Sequence, residues 1–343
     1  MSTENLTQWR LVQLKDDVVN AIRGYLHQSG AIESYYNKIT QGTGSCESVP
    51  TAFILQNTKE LSFLSQTDQL LMEQEVLDYN IDAVWTIGRS YRNEPRAGDG
   101  RHLSEFALLE YEKRNIGLEE LLKIQSEILQ VAIKIGMNSP IISNTQYKQL
   151  KTYLDKQLNT ITYTQALELL KEQRITLEWG DDFDSEIEQE LCKLCDGPVQ
   201  VTHYPESIKF FNMYRSTRGD LQKAMSIEEY NEQRFTVECV DYLLPRAGET
   251  FGGSRREENY GTLVTKLRES RMFAQMVELR AKHHNTTITP KIKEDAWQPF
   301  DSYMELFNPI KHPGRRNVMR SGFGLGMGRL IQFILGVESV IVF

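Results

Sequence analysis

The chain has 343 residues, 39 Lys+Arg against 47 Asp+Glu (39 − 47 = −8) and 40% hydrophobic residues, which suits one large domain or two modest ones and is wrong for a disordered chain. The acidic balance excludes a generally basic nucleic-acid binder, four Cys exclude a disulfide scaffold, and no window approaches the roughly 18 apolar residues of a membrane span. Met1-Ser-Thr-Glu-Asn-Leu6 has no basic region or apolar core, so the expectation is a soluble cytoplasmic protein without a signal peptide.

Leu14, Val18, Ala21, Ile22, Tyr25 and Leu26 fall at helical spacing and Gly30 follows, which predicts an amphipathic helix over about 14–28. Strand-like runs follow at Phe53–Leu55 and Leu61–Ser65, then a helix over Asp68–Tyr79 with Asp68 as N-cap. Ala83–Arg92 and Leu103–Tyr111 read as strands of one antiparallel hairpin, joined through the turn-forming Pro95-Arg-Ala-Gly-Asp-Gly100. A helix covers 117–136. The region 137–198 is mostly helical, with a capping-box pattern at Thr162-x-x-Gln165, and reads as an insertion within a single domain. Strands return at Val199–Thr202, Thr236–Leu244 and Glu249–Gly253. One long helix is predicted over 261–284, then a strand at Met319–Gly324, a helix at Met327–Leu335 and an apolar tail at Val340–Phe343. Hairpins with helices between them predict an antiparallel α+β sheet rather than a βαβ series.

Three segments carry chemistry. Residues 91–106 place Arg92, Glu94, Arg96, Arg101, His102, Glu105 and Phe106 around one hairpin, and period-2 alternation puts Arg92 and Glu94 on one strand face. A guanidinium holds two phosphate oxygens at once, and Phe106 offers a flat surface for a purine. The alternative is a charged, solvated hairpin. Residues 321–330 alternate Gly322, Gly324, Gly326 and Gly328 before Arg329 opens a helix. Small residues admit a ligand to the backbone and a helix N-terminus favours an anion, but a tight strand-to-helix turn reads the same way. Residues 236–257 bring Glu238, Asp241 and Glu249 to a strand pair, where hard oxygen ligands suit Mg²⁺, followed by Arg255 and Arg256; surface acids and a solvated basic pair are the alternative. Together they imply a bent nucleoside triphosphate on an antiparallel sheet.

The chain resembles the catalytic core of a class II aminoacyl-tRNA synthetase, closest to the aspartyl/asparaginyl subgroup and to its asparaginyl branch. Tyr91-Arg-Asn-Glu94 and Arg101-His-Leu-Ser-Glu-Phe106 resemble motif 2 of that class, Gly322 to Leu330 resembles motif 3, and the 14–28 helix with Gly30-Ala-Ile-Glu33 resembles motif 1, the dimer-forming element. Ser65 to Glu73 resembles the substrate-pocket helix. Met72 stands where aspartyl enzymes place a Lys, and Glu73 follows as in asparaginyl enzymes.

The resemblance implies a carboxylate attacking the α-phosphate of ATP, with no side-chain nucleophile. Arg92 and Arg329 are then catalytic. Arg92 meets the α-phosphate, and Arg101, His102 and Arg329 meet the γ-phosphate end. Phe106 and Arg329 sandwich adenine, with Glu94 and Gly326 on the same ATP side. Glu249, with Asp241 or Glu238, carries Mg²⁺, and Gln69, Glu73 and Arg256 frame the substrate. An Arg beside a Glu favours an amide over a second carboxylate.

The sequence departs from the family in four ways. About 13 residues precede the first predicted helix, so no N-terminal anticodon-binding barrel is expected. Tyr35-Tyr-Asn37 lacks the motif 1 Pro, Gly328 replaces the motif 3 acid, and the chain stops at Val342-Phe343 rather than at Pro-Arg. These features fit a core without a tRNA-reading module, like the archaeal asparagine synthetase related to asparaginyl-tRNA synthetase. The expectation is a tRNA-independent, homodimeric, adenylate-forming ligase for aspartate, asparagine or a relative. A minimal asparaginyl-tRNA synthetase and an inactive paralogue are the alternatives.

Other signals read as structural. Cys192-x-x-Cys195 lacks a second pair for zinc, His283-His284 complements a helix dipole, the stretch His312 to Arg316 reads as a solvated turn, and the Met272, Met276, Leu279 stripe reads as core.

Overall fold

The structure is a computed structural model that describes residues 3–42, 49–56, 58–95, 97, 99–156, 158–216, 235–313 and 318–343, the side chains of 3–6 excepted. Arg96, Cys46 and the stretch Gly314 to Arg316 lie outside the described residues.

The helices are α1 (Thr3–Gln28), α2 (Gln69–Asp78), α3 (Leu118–Gly136), α4 (Asn144–Asp155), α5 (Tyr163–Glu172), α6 (Ser185–Leu194), α7 (Tyr260–Glu269), α8 (Arg271–His283), α9 (Pro290–Trp297), α10 (Asp301–Glu305) and α11 (Met327–Leu335). The strands are β1 (Ile32–Glu33), β2 (Ile39–Thr40), β3 (Phe63–Leu64), β4 (Ala83–Tyr91), β5 (Glu105–Arg114), β6 (Asn159–Thr162), β7 (Val199–Thr202), β8 (Cys239–Leu244), β9 (Gly248–Arg255) and β10 (Arg320–Gly326). Among the described residues the main sheet has eight strands in the order β1-β4-β5-β10-β9-β8-β7-β6, and β2 pairs with β3 apart from it. Its centre is antiparallel, as the hairpin pattern predicts. Both edges are parallel, β1 on β4 and β6 on β7, so the sheet is mixed. The edge strand β6 comes from the mostly helical 137–198 region.

Period-2 alternation decides what each sheet face does. On β5, Ala107, Leu109 and Tyr111 point into an apolar cluster shared with Leu14, Val18 and Ile22 of α1 and Leu121 and Ile128 of α3. The intervening Phe106, Leu108, Glu110 and Glu112 are left to the opposite face. On β10, Phe323 and Leu325 join the same cluster, so Gly322, Gly324 and Gly326 form the floor of that opposite face. The alternating glycines of motif 3 are thus one side of a strand whose other side is core. A second cluster gathers α7 to α10 around Phe63 and Phe211, and a third packs α5 and α6 against β7 and β8.

Several predicted elements differ, and the strand expected over Phe53–Leu55 is reduced to an isolated bridge between Ile54 and Phe63. The first helix begins at Thr3, because the apolar repeat marks only the stretch that touches the core and Trp9 and Val12 are exposed. The helix predicted over 261–284 is two helices broken at Ser270. Its extended backbone ends α7, and its hydroxyl caps α8 by accepting from the Phe273 N–H at 3.1 Å. Asp68 stands at the N-cap position of α2 but makes no side-chain cap bond; its carboxylate is turned onto Lys38.

Candidate active site

A cavity of about 340 Å³ opens on the glycine face of the sheet, where β5, β10, β9 and β8 lie side by side. Arg92, Arg101, Arg256 and Arg329 all line it, together with Glu94, His102, Phe106, Asp241 and Glu249. Side chains from residues 92 to 329 meet there because the strand order brings motifs 2 and 3 into register, with Leu108 of β5 opposite Gly326 of β10.

At one end stand the groups expected to meet phosphate. β4 stops at Tyr91, and the chain turns at once, with the Glu94 N–H donating to the Arg92 carbonyl at 2.8 Å. Arg92 and Glu94 are therefore not neighbours on a strand face, as alternation predicted; a turn carries both to the cavity. The Arg92 guanidinium lies 5.0 Å from the centre of the Phe106 ring, the surface expected to carry a purine. Asp99 organises the loop beyond. Its Oδ1 accepts from the Arg101 and His102 N–H groups at 2.8 and 2.9 Å, and its Oδ2 lies 2.7 Å from His102 Nδ1. The bond to His102, with the backbone donors, holds the Asp99 carboxyl below the usual carboxylate range. Arg101 faces Glu188 of α6 at 3.8 Å, and Arg329, in the first turn of α11, donates to the Glu249 carbonyl.

A β-bulge places the acids. Asp241 pairs with Gly252, but a register shift after Tyr242 puts Leu243 opposite Glu249 rather than Thr250. The extra residue brings Glu249 to the face that Asp241 occupies. Burial, and then Asp241, push the Glu249 carboxyl up, against the pull of Lys209, Arg329 and Arg92. Burial and Glu249 push Glu188 up to about 7.

The expected metal trio does not assemble. Lys209 Nζ holds Asp241 at 2.6 Å, and Glu238 lies off the cavity, 3.5 Å from Arg255. Among the described residues no group of three or more His, Cys, Asp or Glu is placed to hold an ion. The donor set fits a Mg²⁺ that takes one or two carboxylates and the rest of its ligands from phosphate and water. Glu249, raised by burial and then by Asp241, is the carboxylate whose charge such an ion would relieve.

The other end carries the groups expected to frame a substrate side chain. Arg256 is 3% exposed; its Nε and Nη2 reach Glu112 Oε2 at 3.2 and 3.0 Å, and its Nη1 donates to Ser254 Oγ at 2.7 Å. Glu112 faces Gly322 across the β5–β10 ladder, and a Cβ at Gly322 would strike the carboxylate, so that glycine is what makes room for it. Burial pushes Glu112 up to about 7 while Arg256 pulls it back.

Glu73 is corrected from a wall residue to a buried anchor. It is fully buried, does not line the cavity, and accepts from Gln69 Nε2 (3.1 Å), Asn212 Nδ2 (3.0 Å), the Tyr303 hydroxyl (2.9 Å) and Arg320 Nε (2.9 Å). Gln69 does line the cavity, held by this carboxylate. Sequence reasoning missed Glu112, Lys209 and Glu188 as cavity residues. Glu110 and Glu112, two residues apart just after the apolar run Phe106–Leu109, are a signal that could have found the first. Nothing local marks the other two.

Comparison with known proteins gives one consistent result. The family model described as tRNA synthetases class II (D, K and N) matches residues 2–343. An asparagine–tRNA ligase of Pyrococcus abyssi (strain GE5 / Orsay) is 28% identical over 337 residues, covering 96% of this chain and 66% of its own. The asparaginyl-tRNA synthetase of Mus musculus is 26% identical over 356 residues, covering 96% and 65%. The chain thus spans about two thirds of the length of these relatives. Its fold matches the asparaginyl-tRNA synthetase from Pyrococcus horikoshii complexed with asparaginyl-adenylate, with a TM-score of 0.75 at 24% identity, over 99% of this chain and 70% of that one. The Entamoeba histolytica enzyme in complex with asparaginyl-adenylate gives 0.70 at 22% identity, over 96% and 64%.

Proposed function

Since the chain belongs to the class II tRNA synthetases of the D, K and N type, we propose that it is an ATP-dependent ligase that activates an amino acid of the asparagine/aspartate class as an acyl-adenylate. The observation that carries this reading is the convergence of Arg92, Arg101 and Arg329 on one cavity whose far end holds Arg256. A carboxylate oxygen of the amino acid attacks the α-phosphorus of ATP, the bond to the β-phosphate oxygen breaks, and pyrophosphate leaves. Arg92 offsets charge at the α-phosphate and orients the attacking carboxylate; Arg101, His102 and Arg329 hold the departing end. Mg²⁺, when bound, neutralises phosphate charge, and Glu249 is the residue that would hold it. Phe106 takes the purine once Arg92 turns from the ring to phosphate.

The reading end favours a carboxamide. Arg256 and Arg320 carry two positive charges, and Glu112 and Glu73 oppose them. A substrate carboxylate would gain little there and would meet Glu112, whereas an amide NH₂ donates to it. The amine nitrogen of a small acceptor then attacks the acyl carbon, the bond to the phosphate oxygen breaks and AMP leaves, with the net charge of −8 weighing against a polyanionic acceptor. Charging of tRNA is the second reading, favoured by the relatives' own names. A homodimer fits the exposure of Trp9, Val12, Ile32, Tyr35 and Ile39 along the motif 1 segment, which sedimentation tests. Among the described residues no helix is long and apolar enough to cross a membrane, in keeping with an enzyme that draws on cytoplasmic ATP.

The deciding experiment is ATP–pyrophosphate exchange over a panel of amino acids, with and without tRNA. Exchange with asparagine in the absence of tRNA, and amide formation on adding a small amine, support the reading. Aminoacyl-tRNA as the product moves it to the second, and no exchange with any amino acid sinks both.

A further inference from the structure

The apolar tail after α11 runs back across the nucleotide end of the cavity. Gly336, at φ 68°, ends the helix. The chain then returns over the helix start, and Val340, Ile341 and Phe343 come to line the same cavity as Phe106 and Arg329. Four contacts hold it. The Val340 N–H donates to the Gly100 carbonyl at 2.7 Å, and Arg89 Nη1 donates to the Phe343 carbonyl at 2.8 Å. Lys15 Nζ donates to the Val342 carbonyl and lies 5.6 Å from the Phe343 ring centre. Gly328 runs beneath: a Cβ there would fall on the Ile341 carbonyl oxygen and lie 3.2 Å from Val340 Cγ2.

We propose that residues 340–343 form a wall of the nucleotide subsite, that their grip on Gly100 positions Arg101 and His102, and that residue 328 is glycine because the tail passes over it. The proposal rests on the reading that this cavity takes ATP. The physical case is direct. Gly100 immediately precedes Arg101, so a hydrogen bond to its carbonyl fixes the backbone from which that guanidinium springs. Ile341 and Phe343 line the cavity with apolar atoms while packing against the core cluster behind the sheet, so the flank they offer is fixed by the core and suits a purine and not a phosphate. The absence of the motif 3 acid becomes an adaptation: an acidic side chain at 328 would displace the tail and set its own charge against a backbone carbonyl.

The test measures binding of ATP with Mg²⁺ by calorimetry, without amino acid, on the full chain and on Val340→Pro, Phe343→Ala and Gly328→Asp. Val340→Pro removes one N–H and Phe343→Ala one apolar wall. Each should weaken ATP binding about fivefold, the scale of one hydrogen bond or one partly buried ring. KM for ATP in pyrophosphate exchange should rise by the same factor while KM for the amino acid stays put, a split that general loosening would not give. Restoring the acid, Gly328→Asp, should weaken ATP binding rather than improve it. If that variant does not fold, the other two carry the test. Should the parent chain bind ATP and the tail variants bind it equally well, the proposal fails alone. Should the parent not bind ATP, the functional reading fails and takes the proposal with it.

Discussion

Arg256 and Glu112 face each other from β9's end and β5, with guanidinium Nη2 and carboxylate Oε2 3.0 Å apart and both side chains almost fully buried. The pair sets what the reading end can accept. Glu112→Gln keeps the shape and removes one negative charge, which leaves Arg256 under-compensated. The ratio of kcat/KM for asparagine over aspartate should fall by at least about tenfold. Side-by-side exchange kinetics with the two amino acids measure this, and an unchanged ratio removes Glu112 from the specificity argument.

Glu73 lies deeper and answers to stability. Glu73→Ala strands the fully buried Arg320 together with the Tyr303 hydroxyl. The expected loss is about 3–5 kcal/mol, the cost of breaking a buried ion pair from one side. Urea denaturation reads it directly. A loss below about 1 kcal/mol would mean that the network relaxes onto other partners.

Arg92 is the opposite case. It is half-buried and rests on Phe106, so Arg92→Ala should leave the melting temperature nearly unchanged. Pyrophosphate exchange should drop by about 10²–10³, as when one charge-stabilising donor is removed from a transition state. Exchange that persists near the parent rate would remove Arg92 from the α-phosphate role.

Glu188 links pH to stability. Its carboxyl is raised from 4.5 in the unfolded chain to about 7 in the folded one. The protonated form is thus favoured by folding, and the stability this group contributes is full below pH 4.5 and lost as pH rises through 7. Glu188→Gln removes that loss. Relative to the parent, the variant should gain on the order of 2–3 kcal/mol between about pH 5 and pH 8. Paired urea titrations at the two pH values check the sign, and a pH-independent difference contradicts it.

The central sheet is legible in the sequence because strands with one core face alternate strictly. β5 and β10 follow that rule, and the spacing of Gly322, Gly324 and Gly326 puts the three glycines on one strand face, the one the cavity opens on. What the sequence hides is of two kinds. Some of it is local geometry with weak signals: Ser270 breaks a helix although Glu269 and Arg271 continue the pattern, and the strand ends one residue before Arg92. The rest is pairing across long separations. Asp241 looks like a metal ligand until Lys209 is placed beside it, 32 positions away, and Glu73 looks like a pocket wall until Asn212, Tyr303 and Arg320 close over it. Composition and spacing fix which groups exist; only the fold tells which of them are already spent on each other.

The anchoring of Glu73 has a practical result for anyone who would retarget this protein. Its donors arrive from α2 itself, from the stretch around Asn212, from α10 and from β10, so the anchor ties residue 69 to residue 320. Randomising one position at that end will mostly return clones that do not fold, because the other three partners are tailored to the original anion. A new preference there calls for linked changes introduced together.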